Sequence, residues 1–169
     1  MSTGKNWKAA LLFALAVLLD QVTKIIAVKA LEKGSIPIIP GVLQLTCVEN
    51  RGAAFGIMQN ATLFFTIVAL AAVELLVYLY LRTPSTRRFL PMRLCFILIA
   101  AGAAGNLIDR IMLHYVRDFI YFCLIDFPVF NVADIYVTVC TFGLAFLFIF
   151  YYKDEELSFL FPDKKAGAK

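Results

Sequence analysis

Two aspartates stand where an ionised side chain is costly. Asp134 closes the stretch Phe130-Asn131-Val132-Ala133-Asp134 and opens a run, Ile135 to Tyr152, without another charge. An ionised group at the centre of a membrane helix costs roughly 2.5–3.5 kcal/mol on insertion scales, and less near the interface, so such a residue marks a functional site by default. The nearest acid of similar setting upstream is Asp118, in Tyr115-Val116-Arg117-Asp118-Phe119. Two carboxylates held close cannot both ionise, so one keeps a proton while the other acts as a base. The chemistry this permits is activation of water, by a pair that titrates as a unit.

Other reactive arrangements are missing. His114 is the only histidine, and no serine or cysteine has a histidine base in a recognisable pattern. Cys47, Cys95, Cys123 and Cys140 show no C-x-x-C spacing and are expected to be buried small apolar residues. No metal or other cofactor is expected, because histidine ligands are lacking and a lysine and an arginine compete for the carboxylates.

The elements that must position the acids belong in a bilayer. The 169 residues are 62% hydrophobic, with a mean hydropathy of +0.82, far above a soluble domain of this size. The expected fold is an integral membrane protein, mainly α, a single domain over 1–169. Four spans of about 20 apolar residues are expected: Trp7 to Val28, Ala61 to Leu81, Met92 to Leu113 and Val132 to Tyr152. In the first, Lys5 and Lys8 precede the apolar run Ala9 to Leu19, but no small-residue cleavage site follows, so it reads as a retained helix. Ten basic residues (Lys5, Lys8, Arg82, Arg87, Arg88, Arg93, Lys153, Lys164, Lys165, Lys169) fall on the side of the termini, against six (Lys24, Lys29, Lys33, Arg51, Arg110, Arg117) on the other. That bias places both termini in the cytoplasm.

Residues 32–60 form a long outer connection punctuated by Pro37, Pro40 and Gly41, with Val42 to Val48 alternating as a short strand. A small β-rich segment on the outer membrane surface is expected there. The loop Asn50-Arg51-Gly52-Ala53-Ala54-Phe55-Gly56 then bends back toward the bilayer. A second outer segment, 114–131, carries aromatic residues suited to the headgroup layer, and Asp126 there reads as simply solvated. Glu74, the single charge in the second span, is expected to have a structural partner in the cytoplasmic half.

The polar residues converge in depth. Asp20 precedes Lys24 by four positions, one helical face at the outer end of the first span. Gly102, Asn106 and Asp109 share a face of the third span, and Arg110 lies four beyond Asn106. Gly102 and Gly105 permit close helix approach in lipid. Asn131 is placed to cap the fourth helix with Asp134 on the same face, although a capping box ordinarily has a longer acid there. A protease, a small proton-coupled transporter and a purely structural protein all remain open at this point; the gathering of acids in one layer, without an internal repeat, favours the protease.

Taken in order, Asp20 with Lys24, Asn50 to Phe55, Gly102 through Asn106 to Asp109-Arg110, Val116 with Asp118, and Phe130 to Asp134 resemble the bacterial lipoprotein signal peptidases, or signal peptidase II. The resemblance covers the whole chain. It implies a monomeric aspartic endopeptidase of the cytoplasmic membrane that removes signal peptides from prolipoproteins, cutting before a cysteine already modified with diacylglycerol. It implies Asp118 and Asp134 as the catalytic dyad and an inhibitor class of globomycin-type cyclic peptides. Asn50, Gly52, Asn106, Arg110 and Asn131 are then expected to position dyad and substrate, with Asp20 and Lys24 bracing the site. Membrane lipids and prolipoproteins are the implied partners, and nucleic acid is not one.

Overall fold

Hydrocarbon offers backbone amides no hydrogen bonds, so the apolar runs must close their own, and they do so as four long helices. The computed structural model describes residues 3–52 and 62–160. Helices α1 (Thr3–Ala30), α2 (Thr62–Arg82), α3 (Leu90–Leu113) and α4 (Val132–Phe146) contain the spans, with α4 continued by a π-helical turn over Leu147–Tyr151. Segments long and apolar enough to cross a membrane run Asn6–Ala30, Thr62–Arg82, Leu90–Leu113 and Val132–Tyr151, each within a few residues of the expected span. Ala53 to Gly56 of the loop motif, Asn60, Ala61 and the tail lysines Lys164, Lys165 and Lys169 lie outside the described residues.

Helix α3 is the hub, packing on α1, α2 and α4. Its two glycines make the closest approaches. A Cβ on Gly102 would lie 2.5 Å from the Ala133 carbonyl oxygen and 2.9 Å from Val137 Cγ2, while one on Gly105 would overlap the Asp20 carboxylate. These are the small-residue contacts by which helices associate in lipid, and both fall at the level of the polar layer.

The connections after α1 and α3 supply three antiparallel strands in the order β1 (Ile36–Ile39), β2 (Leu43–Asn50) and β3 (Val116–Tyr121). The third strand corrects the reading of 114–131 as an aromatic segment suited only to the headgroup layer. His114, in the left-handed conformation at φ 66°, ends α3 by donating its N–H to the Arg110 carbonyl. The chain thus passes almost directly from helix into β3.

Between β2 and β3 the register slips by one residue: Leu45 faces Ile120, whereas Val48 faces Asp118. The extra residue is a β-bulge. Without it, Asp118 would share a face with Cys47 and Glu49; with it, Asn50 becomes the diagonal neighbour of Asp118 on the same face. Phe130 pairs with Ile120, its N–H donating to the Ile120 carbonyl at 3.0 Å and its carbonyl accepting from Ile120 N at 2.8 Å. That clip sets the start of α4 beside Asp118.

Two expectations fail. Glu74 is exposed on α2 and has no ion pair or hydrogen bond among the described residues, because α2 buries none of its residues against the bundle. Of the cysteines only Cys140 is buried; Cys95 and Cys123 are partly covered, and Cys47, in the bulged stretch of β2, is exposed. Asp126 is exposed as expected, but the Tyr121 hydroxyl donates to it at 2.5 Å.

Candidate active site

The start of α4 is built around Asn131. Its side-chain oxygen accepts the Asp134 N–H at 3.1 Å, and Asp134 Oδ2 accepts the Asn131 N–H at 3.0 Å, a complete capping box with the shorter acid. The cap thus engages one of the two candidate acids. The Asn131 amide nitrogen also donates to Asp118 Oδ1 at 2.6 Å and to Asn106 Oδ1 at 3.0 Å. Asn131 is fully buried, so each of these bonds replaces one that water would otherwise have made.

The second carboxylate hangs from the same frame. Asp134 Oδ1 accepts from Asn106 Nδ2 at 2.8 Å, and Asp118 Oδ2 accepts from Asn50 Nδ2 at 2.9 Å. Asn50 is itself steadied by the Gly52 N–H, 3.0 Å from its side-chain oxygen. Burial, followed by the charge of Asp134, pushes the Asp118 carboxyl up to about 7, against the opposing hydrogen bonds from Asn50 and Asn131. Asp118 therefore keeps its proton to higher pH than an ordinary aspartate.

Behind the pair lies a desolvated charge network. Lys24 Nζ sits 2.8 Å from Asn106 Oδ1, 2.9 Å from Asp20 Oδ2 and 3.5 Å from Asp109 Oδ2. Lys24, Asp20 and Asp109 have side chains with no exposure at all. Asp109 is also gripped by Arg117, through Nη2 at 2.6 Å, Nε at 3.1 Å and the backbone N–H at 3.0 Å. That pairing raises the Arg117 guanidinium above its ordinary value. Asp20 Oδ1 accepts the Ala133 N–H at 3.0 Å, satisfying a free donor at the start of α4 from a different helix. Two acids and two bases balance, and among the described residues no buried side-chain nitrogen or oxygen lacks a partner.

Asn106 joins the two layers. Its oxygen takes Lys24 and Asn131, which leaves its NH2 to face Asp134. The cation and Asn131 together fix which way the amide points.

In front of the carboxylates lies a pocket of about 600 Å³, onto which Asp118, Asp134, Asn50, Gly52, Asn106 and Arg110 all open. Its other walls are apolar apart from Thr138, with Phe122, Ile125, Phe127 and Phe130 joined by Ile135 and Val139 of α4. Phe130 stacks on Phe122 with centroids 5.9 Å apart and meets Phe127 edge-on at 5.8 Å, holding this wall together. Arg110 lies with its guanidinium 5.6 Å from the Phe65 ring and, among the described residues, forms no ion pair. Among the described residues no group of three or more histidines, cysteines, aspartates or glutamates converges to hold a metal ion.

Every expected site residue therefore falls in one assembly, though in two layers: Asp20 and Lys24 lie behind the pocket, touching it only through Asn106 and α4. The sequence reading gave no role to Gln21 or Arg117. Gln21 donates to Asp20, to Asp109 and to the Gly105 carbonyl, at 3.0–3.1 Å, and accepts from Arg117 at 2.9 Å. The available signal was position: each adjoins an acid already singled out, and in a strand Arg117 must face away from Asp118.

The sequence profile of a family described as Signal peptidase (SPase) II matches residues 12–150. The Lipoprotein signal peptidase of Caldanaerobacter subterraneus subsp. tengcongensis is 44% identical over 144 residues, 84% of this chain and 96% of its own. That of Clostridioides difficile is 46% identical over 142 residues, 83% of this chain and 94% of its own. A bacterial membrane enzyme solved by the in meso method at 2.3 Å superposes with a TM-score of 0.75 at 31% identity, covering 96% of this chain and 94% of that one.

Proposed function

The chain belongs to the signal peptidase II family, and from that premise we propose that it is an aspartic endopeptidase of the bacterial cytoplasmic membrane, acting as a single monomeric domain on diacylglyceryl-modified prolipoproteins. Its termini face the cytoplasm, and its pocket opens near the outer leaflet. The observation that carries the reading is that Asp118 and Asp134 are both held by Asn131 at the head of one pocket.

In the reactive state one of the two carboxyls is ionised and the other protonated. The ionised one takes a proton from a water molecule as the water oxygen attacks the scissile carbonyl carbon. The protonated one donates to the carbonyl oxygen as it becomes tetrahedral. Collapse breaks the carbon–nitrogen bond, and the departing amine of the lipidated cysteine leaves with a proton from the dyad. Asn50, Asn106 and Asn131 keep both carboxyls in place through this exchange. Arg110 and the Gly52 backbone line the same pocket, where they meet the substrate backbone. The aromatic wall and the open flank of α4 suit a peptide bond attached to acyl chains that remain in lipid.

The test is cleavage of a diacylglyceryl-modified prolipoprotein by the purified protein in lipid, followed by gel shift. Wild type cuts, and Asp118→Asn and Asp134→Asn, with wild-type helical content, fall by roughly 10²–10⁴-fold or more, the range for loss of a positioned acid or base. Near wild-type cleavage by either variant ends the two-aspartate mechanism.

A further inference from the structure

At the end of the bundle that carries the termini, α1 and α2 each pack on α3 but hardly touch one another. The gap between them is not closed. A cavity of about 630 Å³ lies there, with Lys8, Ser85, Thr86, Arg87 and Arg93 at its polar side and Leu12, Leu90 and Leu94 beneath. No acid is among its described lining residues. Through Ala9, Tyr80 and Ile97 it adjoins a second cleft of about 250 Å³, whose other walls include Phe13, Leu76, Val77 and Phe96. One end of the space is thus basic and hydroxyl-rich, and the other is apolar apart from Asn6 and Tyr80.

The cations differ in how they are engaged. Arg93 is buried and donates through Nη1 to the Thr83 carbonyl at 2.7 Å, with its guanidinium 4.0 Å from the Tyr80 ring. It is part of the wall. Lys8 and Arg87 are exposed and pair with no acid among the described residues. Beside them begins the 24-residue α3, capped by Phe89 without a side-chain hydrogen bond and with no acid in its first turn. The positive end of a helix dipole therefore adds to the same field.

We propose that this space binds one anionic phospholipid of the adjoining leaflet, its phosphate among Lys8, Arg87 and the start of α3 and one acyl chain in the cleft between α1 and α2. Charge complementarity selects an anion, and basic pockets between transmembrane helices favour lipid headgroups in this way. The apolar extension selects a lipid over a soluble phosphate. The site is remote from the carboxylates, so lipid occupancy and peptide cleavage are separable.

Native mass spectrometry of the full chain, released from nanodiscs containing equal phosphatidylglycerol and phosphatidylcholine, tests this. Wild type retains one phosphatidylglycerol in preference to phosphatidylcholine, and Lys8→Gln with Arg87→Gln lowers that affinity roughly thirtyfold while prolipoprotein cleavage in neutral lipid is unchanged. Arg82→Gln, a cation on the same side outside the cavity, leaves retention at the wild-type level. The proposal is overturned if the double variant retains the lipid as wild type does, or if Arg82→Gln loses it equally, since attraction is then general to the basic face. Displacement of the lipid by inorganic phosphate also overturns it, by making the ligand a soluble anion.

Discussion

The two ends of the bundle both carry charge, and they use it in opposite ways. At the sheet end Asp20, Lys24, Asp109 and Asn131 are fully buried and joined in a single hydrogen-bonded set that reaches both candidate catalytic aspartates. At the far end Phe89, Met92, Phe96, Leu147, Tyr152 and Leu157 form an apolar core, and Arg88 with Glu156 lies over its rim, their side chains 40% and 31% exposed. A desolvated network is costly to assemble and more costly to break, because any orphaned charge stays in low dielectric. A solvated pair is neither. Folding alone is served by the far end's arrangement, so the sheet end's expense points to function.

The largest effect is expected from Lys24→Met, which keeps the side-chain length and removes the cation between Asp20, Asp109 and Asn106. Unfolding in mild detergent should show a loss of about 3–5 kcal/mol, and cleavage should fall steeply because only Asn131 then turns the Asn106 amide toward Asp134. Stability close to wild type would mean that the network is not a unit.

Next is a pH effect. The Asp118 carboxyl rises from an ordinary 3.8 to about 7, so between those values the folded chain holds a proton that the unfolded chain has released. Its contribution is full below pH 4 and is lost as pH rises through 7. A difference of about three pH units, at about 1.4 kcal/mol each, sets a ceiling of ~4 kcal/mol. Melting of wild type against Asp118→Asn at pH 4 and pH 8 should show wild type losing relative stability on the alkaline side, with cleavage falling over the same range as both carboxyls ionise. A difference between the two proteins that does not move with pH would remove Asp118 from the shared-proton role.

Smaller in energy is the bulge. Inserting one alanine between Val48 and Glu49, beyond the bulge, keeps Val48 opposite Asp118 and turns Asn50 to the opposite face from Asp118. Cleavage should drop by about 10²-fold, the cost of misplacing a catalytic group by roughly an ångström, with helical content preserved. Asn50→Ala should lose as much. If the insertion is silent while Asn50→Ala is not, register does not place the amide.

Much of this was legible beforehand, and the reason is physical. Asp20, Lys24, Asp109 and Asp134 are conspicuous because hydrocarbon tolerates charge so poorly that each isolated acid advertises a partner. Four helices follow from the length of the apolar runs. What the sequence hid depends on pairing between distant segments. Strand β3 reads as interfacial aromatics because Val116 to Tyr121 has no hairpin turn beside it, its partner β2 lying far upstream. The bulge leaves no mark in composition, and Cys47 looks like core until the slip shows where it points. Glu74 misled in the other direction: a lone acid in a span implies a partner only if its helix is packed on that side, and α2 is not.

The smallest effect tests the comparison from the solvated side. Arg88 donates to both carboxylate oxygens of Glu156, at 3.0 and 3.1 Å, and its guanidinium lies 3.9 Å from the Tyr151 ring. These bonds hold the Glu156 carboxyl down at about 2. Its contribution is thus present above the ordinary value of 4.5 and lost only as pH falls toward 2, so at neutral pH it is fully in place. Because water and salt reach both groups, Glu156→Gln should nevertheless leave the melting temperature near wild type, and the residual difference should fade as ionic strength rises to about 1 M, where screening acts within roughly 3 Å. The Lys24→Met deficit should not fade, since no counterion reaches a side chain with zero exposure. Equal salt sensitivity at the two ends would mean that the sheet-end network is hydrated after all, and its cost would cease to argue for function.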